Sequence, residues 1–423
     1  MKAEPMIVVE HRKELSYLLC QAAEIEHLAM CQYLYAAFSL RTEPGPGLTA
    51  EQLPAVERWR KVILAIAGEE MLHWALVNNL ITAIGSAPFV SRPDLPHRAK
   101  GYPPDVQFAL LPFGETALRH FIYFERPVDA DVADPTEFVP AGGRPAAMEP
   151  TELLPRGQDF LTQGQLYRSL EGGLRHLAQK LGEPGLFIGP PWAQATPRDF
   201  HWPDLVAITD LDAALQVVER IVVQGEGAAA DATDAHFGRF RAVLDELLAV
   251  KAADPTFEPA HPVTAAVVRG YEGAEPEGPR ITDPTTAGVS DLFNAIYDLL
   301  LQMLCRYFAF GHETGEQLTM LASAAVGLMF TAVKPLGMLL ARLPVGEEAP
   351  GATAGASFQL AYRASFLLPH RRVAWIRFVE RLEETAAHAG SIAAGGADRV
   401  VLDRVALALR ATAERLAAEI EPA

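Results

Sequence analysis

The stretch from Ile66 to Val77 is IAGEEMLHWALV, and it places Glu70 and His73 three residues apart in a run without proline. Residues at i and i+3 share one face of a helix, so both side chains would lie on an apolar stripe. Polar groups on such a stripe need partners to replace the water that they lose. A Glu/His pair with this spacing is typical of a metal-binding helix, although it also occurs by chance where both residues lie at a polar edge.

Two long helices are predicted around this stretch. Residues 14–40 are rich in Leu, Ala, Gln and Met and contain no Gly or Pro, which favours a helix, and the TEPGPG run at 42–47 ends it. Thr49, with Gln52 three residues later, is a candidate cap for the second helix, which would continue to Ile84. A short connection between two long helices predicts an antiparallel hairpin.

The remaining sequence alternates between irregular and helical patterns. Twelve prolines between 85 and 163 predict a long, mostly irregular crossover, and helical patterning returns at 164–181 and 211–224. Two helices, a crossover and two more helices are the connectivity of a ferritin-like four-helix bundle. We therefore expect an all-α chain, with a di-metal bundle at 10–245, a linker at 246–289 and a C-terminal helical domain at 290–423.

The first and third predicted helices each offer one acidic ligand. A two-metal site in such a bundle takes one Glu from each of two helices and a Glu/His pair from each of the other two. In the first helix, Glu26 has apolar neighbours one turn away on both sides, whereas Glu24 and His27 are out of phase with it and fit a solvated flank or a supporting role. In the third helix, Glu171 shares a stripe with Tyr167, although an ordinary surface Glu has the same pattern.

The fourth helix contains the string QGEG, in which two glycines flank Glu226. Glycine weakens a helix interior, so its presence on both sides of a Glu hints at a functional site. His236 follows ten residues later, and a straight helix would place it about 15 Å away. The two residues share a site only if the chain loops out and Thr233 or Asp234 caps a restarted helix. If His236 is structural instead, Glu219 lies on the same face as Glu226 and would be an extra acidic partner.

The donor set indicates the metal and its chemistry. Mixed Glu and His ligands suit iron or manganese, and zinc also accepts them. We expect two ions, iron in the first place, that activate oxygen or peroxide. Tyr33, two turns after Glu26, and Tyr167, one turn before Glu171, are candidate catalytic residues that would donate to a ligand or be oxidised during turnover. Core packing is the alternative role for both tyrosines.

Composition excludes some classes of protein and favours others. A formal net charge of -17 opposes nucleic-acid binding, which needs a basic face. Three cysteines provide neither a disulfide framework nor a CxxC metal motif, and the acidic N-terminal residues do not fit a secretory signal, so we expect a cytoplasmic protein. The longest uncharged stretch is 317–333, and its 17 residues predict a buried helix rather than a membrane span.

Several strings resemble a known family. They are AAEIEHLAMCQYLYAAFSL, GEEMLHWALVNNLITAIGSAP, FERP, QLYRSLEGGL, LFIG and VVQGEGAAADATDAHFGRF. They are similar to the ferritin-like family typified by iminophenyl-pyruvate dimer synthase, an enzyme of violacein-type bisindole biosynthesis that couples two imine-type products of tryptophan oxidatively. The resemblance covers residues 10–245, and more loosely 290–385. It implies metal ligands at Glu26, Glu70, His73, Glu171, Glu226 and His236.

Together these patterns predict a metal-dependent, di-iron oxidoreductase that acts on a small amine- or imine-bearing metabolite of secondary metabolism. We expect a homodimer that binds neither nucleic acid nor membrane. A ferroxidase-like iron-handling protein is one alternative, but it would need a subunit that forms a cage. A metal-free helical interaction protein is the other, and it would have no use for the Glu70/His73 pair.

Overall fold

The computed structural model describes residues 8–97, 107–130, 132, 160–225, 233–265, 267–270, 278–309, 312–360, 370–395 and 398–420. Within these ranges the chain forms helices and isolated β-bridges, and no strand occurs in them. The prediction of an all-α fold is therefore confirmed. The helices are α1 (Arg12–Ser39), α2 (Leu53–Ala83), α3 (Glu115–Phe124), α4 (Gln163–Leu181), α5 (Glu183–Leu186), α6 (Pro197–Phe200), α7 (Leu211–Gly225), α8 (His236–Ala253), α9 (Pro284–Ala309), α10 (Gly315–Leu328), α11 (Lys334–Leu340), α12 (Arg371–Ala394) and α13 (Arg399–Ala417).

Helices α1 and α2 form the hairpin that the sequence predicts, and they pack along most of their length. Thr49 and Gln52 exchange hydrogen bonds one turn before α2: the Gln52 backbone N–H donates to Thr49 Oγ1 (3.3 Å), and the Thr49 backbone N–H donates to Gln52 Oε1 (2.9 Å). The N-cap of α2 is Gln52, without a side-chain cap hydrogen bond, so Thr49 does not occupy the predicted cap position and the pair closes the turn before the helix instead. At the other end, Gly85 adopts a φ of 83°, which lets the chain leave α2 sharply.

Within its described residues, the predicted crossover at 85–163 contains the helix α3, which the prediction of a mostly irregular segment did not locate. Residues 113–126 lie between two prolines, and the apolar residues within this window recur at helical spacing. This window is short, and the many prolines around it indicate irregular structure, so the local sequence did not predict a helix here. Helix α3 packs against α8, and Phe121 contacts Phe240 there with ring centroids 5.2 Å apart.

The packing of α4 and α8 completes the bundle. Helix α4 packs against α7 and α1, and α8 packs against α3 and α2. The helix restarts at His236 as predicted, but its N-cap is Ala235, and neither Thr233 nor Asp234 occupies that position. His236, the first residue of α8, is fully buried beside Glu70 and Glu125.

The C-terminal helices pack on the outer side of the α1–α2 hairpin through α9 and α11. Trp74 of α2 contacts Phe308 of α9 with ring centroids 5.5 Å apart. A five-residue π-helical segment, Met329–Val333, joins α10 to α11. Helices already occupy both ends of the predicted linker, since α8 continues to Ala253 and α9 begins at Pro284. The division into two domains stays a prediction.

In the part of the chain that the structure describes, one helical stretch, Gly315–Leu340, is long and apolar enough to cross a membrane. Half of its most apolar 18-residue window is buried inside the protein. Core helices of proteins that never enter a membrane pass the same test of length and composition. This burial agrees with the predicted packed helix.

Candidate metal centre

Five buried side chains form two groups of donors that share Glu70. The ligand atoms of Glu26, Glu70 and His73 lie within 4.8 Å of one another, and so do those of Glu70, Glu125 and His236. None of these five residues is more than 1% exposed. Glu70 would therefore serve both groups if each held a metal ion.

The two imidazoles present the same nitrogen to the carboxylates. His73 Nδ1 lies 3.0 Å from Glu70 Oε2 and 3.6 Å from Glu26 Oε2. His236 Nδ1 lies 3.1 Å from Glu70 Oε1 and 3.5 Å from Glu125 Oε2. The rings lie 5.5 Å apart at an interplanar angle of 28°. Each Nδ1 is therefore placed as a donor atom, beside carboxylate oxygens that would bind the same ion.

Hydrogen bonds at the other ring nitrogen fix both imidazoles. His73 Nε2 donates to Gln224 Oε1 (2.9 Å), and His236 Nε2 donates to Glu69 Oε2 (2.8 Å). Arg239 donates to the same oxygen of Glu69 (2.6 Å) and holds that carboxylate in place. A partner at the remote nitrogen sets the tautomer and ring orientation of a metal-binding histidine. Sequence reasoning did not assign this role to Glu69.

Sequence reasoning also missed Glu125. It is the C-cap of α3, and α3 brings it to His236 and Tyr33. A lone Glu without a histidine three residues away carries no local metal motif. The available indications were its position after the apolar face of α3 and its place in the FERP string, and neither distinguishes a ligand from a packed residue.

The two predicted tyrosines both contact the donors. The Tyr33 hydroxyl donates to Glu125 Oε1, and the Tyr167 hydroxyl donates to Glu26 Oε1. Burial, followed by the negative charge of Glu26, raises the pKa of Tyr167 well above its ordinary value, so this phenol keeps its proton. Both phenols hold a carboxylate in position, and their predicted catalytic role stays a prediction.

The structure does not bring Glu171 to this cluster. The buried stripe of α4 contains Tyr167, Leu170 and Leu174, which places Glu171 at the edge of the helix. There it accepts a hydrogen bond from Arg175 (2.8 Å), and 34% of its side chain is exposed. Because Tyr167 faces Glu26, the next inward positions are three and seven residues later, not four. The structure therefore does not support Glu171 as a ligand, and it places Glu125 among the candidate donors instead.

Glu226, the remaining predicted ligand, lies outside the described residues. Its described neighbours belong to the site: Gln224 accepts from His73, and a Cβ at Gly225 would lie 3.4 Å from Glu125 Oε2. Glycine at 225 therefore permits a close approach of α7 to the cluster. Glu226 stays a predicted ligand. Glu219, the extra acidic partner expected if His236 were structural, is exposed and belongs to neither donor group.

The carboxylates of the cluster raise the pKa of the groups around them, so protons offset part of their negative charge. Burial, followed by the charge of Glu70, raises the pKa of Glu26 to about 7. Burial alone would lower the pKa of His73, but hydrogen bonds with Glu26 and Glu70 outweigh burial and raise it to about 10. The pKa of His236 is raised well above its ordinary value in the same way, by Glu70, Glu125 and Glu69. A metal cation can take the place of these protons, because it binds the neutral imidazole.

The buried donor atoms of the cluster suit metal ions. Glu26 Oε2, Glu70 Oε1 and His236 Nδ1 are buried, and among the described residues they are held by ion pairs with His73 and with each other rather than by well-aligned hydrogen bonds. Buried polar atoms that lack well-aligned hydrogen bonds are costly and need a special reason. A carboxylate and imidazole donor set suits iron, manganese or zinc. Glu26, Glu70, His73, Glu125 and His236 would hold the ions.

Replacing Glu69 with glutamine should weaken metal binding about 10–100-fold and leave the number of ions at saturation unchanged. Glutamine keeps the size of the side chain but removes the charge that orients His236. Metal titration against a competing chelator measures the change. Glu57→Gln, at an exposed position of the same helix, is the control. Equal affinities for the two variants would show that Glu69 does not position His236.

The chain belongs to the ferritin-like family, whose model matches residues 19–245. It is 30% identical over 365 residues to the 2-imino-3-(indol-3-yl)propanoate dimerase of Chromobacterium violaceum, over 82% of this chain and 34% of the dimerase. It is 27% identical over 394 residues to the dichlorochromopyrrolate synthase of Lentzea aerocolonigenes, over 85% of this chain and 37% of the synthase. The chain thus spans about a third of the length of these curated relatives. These matches confirm the family resemblance.

A crystal structure of a ferritin-like protein from Caulobacter vibrioides is similar in fold. The TM-score is 0.51, with 19% sequence identity, over 81% of this chain and 99% of the other. At this level of identity the similarity concerns the fold alone. It confirms the predicted ferritin-like bundle.

Proposed function

We propose that this chain binds two metal ions, iron in the first place, and is an oxidoreductase that acts on a small amine- or imine-bearing metabolite. The main support for the proposal is that two buried donor groups share Glu70. One shared carboxylate with mixed oxygen and nitrogen donors is the arrangement of carboxylate-bridged two-metal sites. The relative named as an imino-acid dimerase supports an imine as the substrate class.

The bound ions would supply the redox chemistry between the metabolite and oxygen or peroxide. Oxidation of the metabolite by two electrons releases two protons, which oxygen takes up to give hydrogen peroxide, or peroxide takes up to give two waters. The protein's own residues prepare the site for this exchange. Tyr33 and Tyr167 hold the carboxylates of Glu125 and Glu26, and the apolar surroundings exclude water.

The test is oxygen uptake by protein loaded anaerobically with Fe(II). Elemental analysis should find about two irons per chain. The imine formed from indole-3-pyruvate and ammonium, which is the compound in the dimerase's name, should then sustain oxygen uptake beyond oxidation of the iron itself. Protein loaded with zinc, which has no redox chemistry, is the control.

Two other outcomes would contradict the proposal. Uptake that ends when the added iron is oxidised, with or without the imine, would indicate the ferroxidase-like alternative. Absence of bound metal after loading would leave a metal-free helical interaction protein. Phenylpyruvate with ammonium serves as a second probe, so failure of one imine does not decide the result by itself.

A further inference from the structure

A cavity of about 140 Å³ lies between the α1–α2 hairpin and the C-terminal helices. Its wall is almost entirely apolar and includes Leu34 and Phe38 of α1 and Leu300 and Leu304 of α9. None of the five donors of the metal centre lines it. An apolar cavity of about 150 Å³ accepts a benzene ring, so this cavity can accept the ring of a small aromatic molecule.

The cavity and the metal centre use neighbouring faces of the same two helices. Adjacent residues of a helix point about 100° apart. His27 directly follows the donor Glu26, and Met71 directly follows the donor Glu70, and both His27 and Met71 line the cavity. A molecule in the cavity would therefore be separated from the metal ions by the backbone of α1 and α2.

Three kinds of polar group lie along the apolar wall. His27 and Tyr297 line the cavity and hydrogen-bond to each other. The indole N–H of Trp74 is buried and does not reach the cavity. Lys334 also lines the cavity, and within the described ranges no carboxylate pairs with it. The wall thus offers a bound molecule one positive charge.

The cavity opens beside the π-helical segment Met329–Val333. Phe330 of this segment lines the cavity and is 66% exposed, which places an aromatic ring at the entrance. Single π-helical turns are rare and frequent at functional sites. Phe330 and Lys334 also line an adjoining groove that contains Arg342, and Arg342 pairs with Asp398, so among the described residues Lys334 provides the unpaired positive charge on this side.

We propose that this cavity binds a small apolar carboxylate, with its ring or alkyl chain inside the cavity and its carboxylate at Lys334. The apolar body replaces water in the cavity, and burial of apolar surface supplies most of the affinity. The carboxylate pairs with the unpaired ammonium group of Lys334. The site is independent of the metal ions.

Isothermal titration with 3-phenylpropionate tests the proposal, and the neutral 3-phenylpropanol is the matched ligand. The full chain is titrated as the metal-free protein and as the Glu70→Ala/His73→Ala variant. Both forms should bind 3-phenylpropionate with the same affinity, because the cavity does not use the metal centre. This comparison separates the cavity from the proposed oxidoreductase site, where a carboxylate could bind to a metal ion.

Two substitutions locate the ligand. A Cβ at Gly68 meets no atom within 4 Å, and Gly68 lines the cavity, so Gly68→Leu should fill the space and abolish binding without a clash. Gly172→Leu, at an exposed helical glycine that is equally unobstructed, is its control. Lys334→Met should weaken 3-phenylpropionate about tenfold and leave 3-phenylpropanol within about twofold.

Three results would overturn the proposal. The first is absence of binding by the wild-type chain at millimolar 3-phenylpropionate. The second is unchanged binding by Gly68→Leu when far-ultraviolet circular dichroism shows that the variant is folded. The third is binding that disappears in the Glu70→Ala/His73→Ala variant, which would place the carboxylate at the metal centre.

Discussion

Replacing Glu70 with alanine should release both metal ions at once. Glu70 belongs to both donor groups, with Oε2 beside His73 and Oε1 beside His236. Loss of a supporting residue outside the ligand set already weakens metal binding about 10–100-fold, so loss of a shared ligand should exceed about 100-fold for each ion. Elemental analysis after gel filtration measures the outcome.

A comparison with Glu26→Ala tests whether Glu70 is shared by the two donor groups. Glu26 belongs to one donor group only, so its variant should retain one ion where the Glu70 variant retains none. Glu70→Gln keeps the side-chain volume and should lose metal as Glu70→Ala does, which separates ligand loss from a cavity in the core. Glu57→Ala, on the exposed side of α2, should keep both ions. Two tightly bound ions in Glu70→Gln would exclude a shared ligand at this position.

Glu125→Gln should lose the ion held with His236, whereas Glu171→Gln should bind metal as the wild-type chain does. Glu125 is 1% exposed and lies 3.5 Å from His236 Nδ1, and Glu171 pairs with Arg175 at the helix surface. The expected loss of affinity exceeds about 100-fold in the first variant and is below about twofold in the second. Metal titration followed by substrate-dependent oxygen uptake measures both.

The same experiment decides between the structural assignment and the family pattern. The resemblance implied Glu171 as the ligand of the third helix, and the structure places Glu125 at the site instead. If Glu171→Gln lost an ion while Glu125→Gln kept two, the structural assignment would be wrong. Arg175→Gln, which removes the surface partner of Glu171, should leave metal content unchanged and serves as a second control.

The sequence by itself determined the helices of the hairpin, the helices α4 and α7, and the Glu70/His73 pair on one face of α2. Both are local properties: helix formation depends on composition over one or two turns, and residues three apart share a face in any helix. Glu26 was identified for the same reason, because its apolar neighbours lie on its own helix. The restart at His236 was also predicted, since a straight helix could not bring that residue to the site.

Only the tertiary structure decided which residues meet across helices. Glu125 joins the centre because α3 packs against α8, and this contact between distant parts of the chain leaves no mark on the residues next to Glu125. Glu171 lies outside the centre because α4 turns Tyr167 toward Glu26, and a helical stripe alone does not fix that rotation. The support of His236 by Glu69 and the cavity beside Trp74 likewise depend on the packing of separate helices. Local sequence patterns describe one helix at a time, so they cannot specify these contacts.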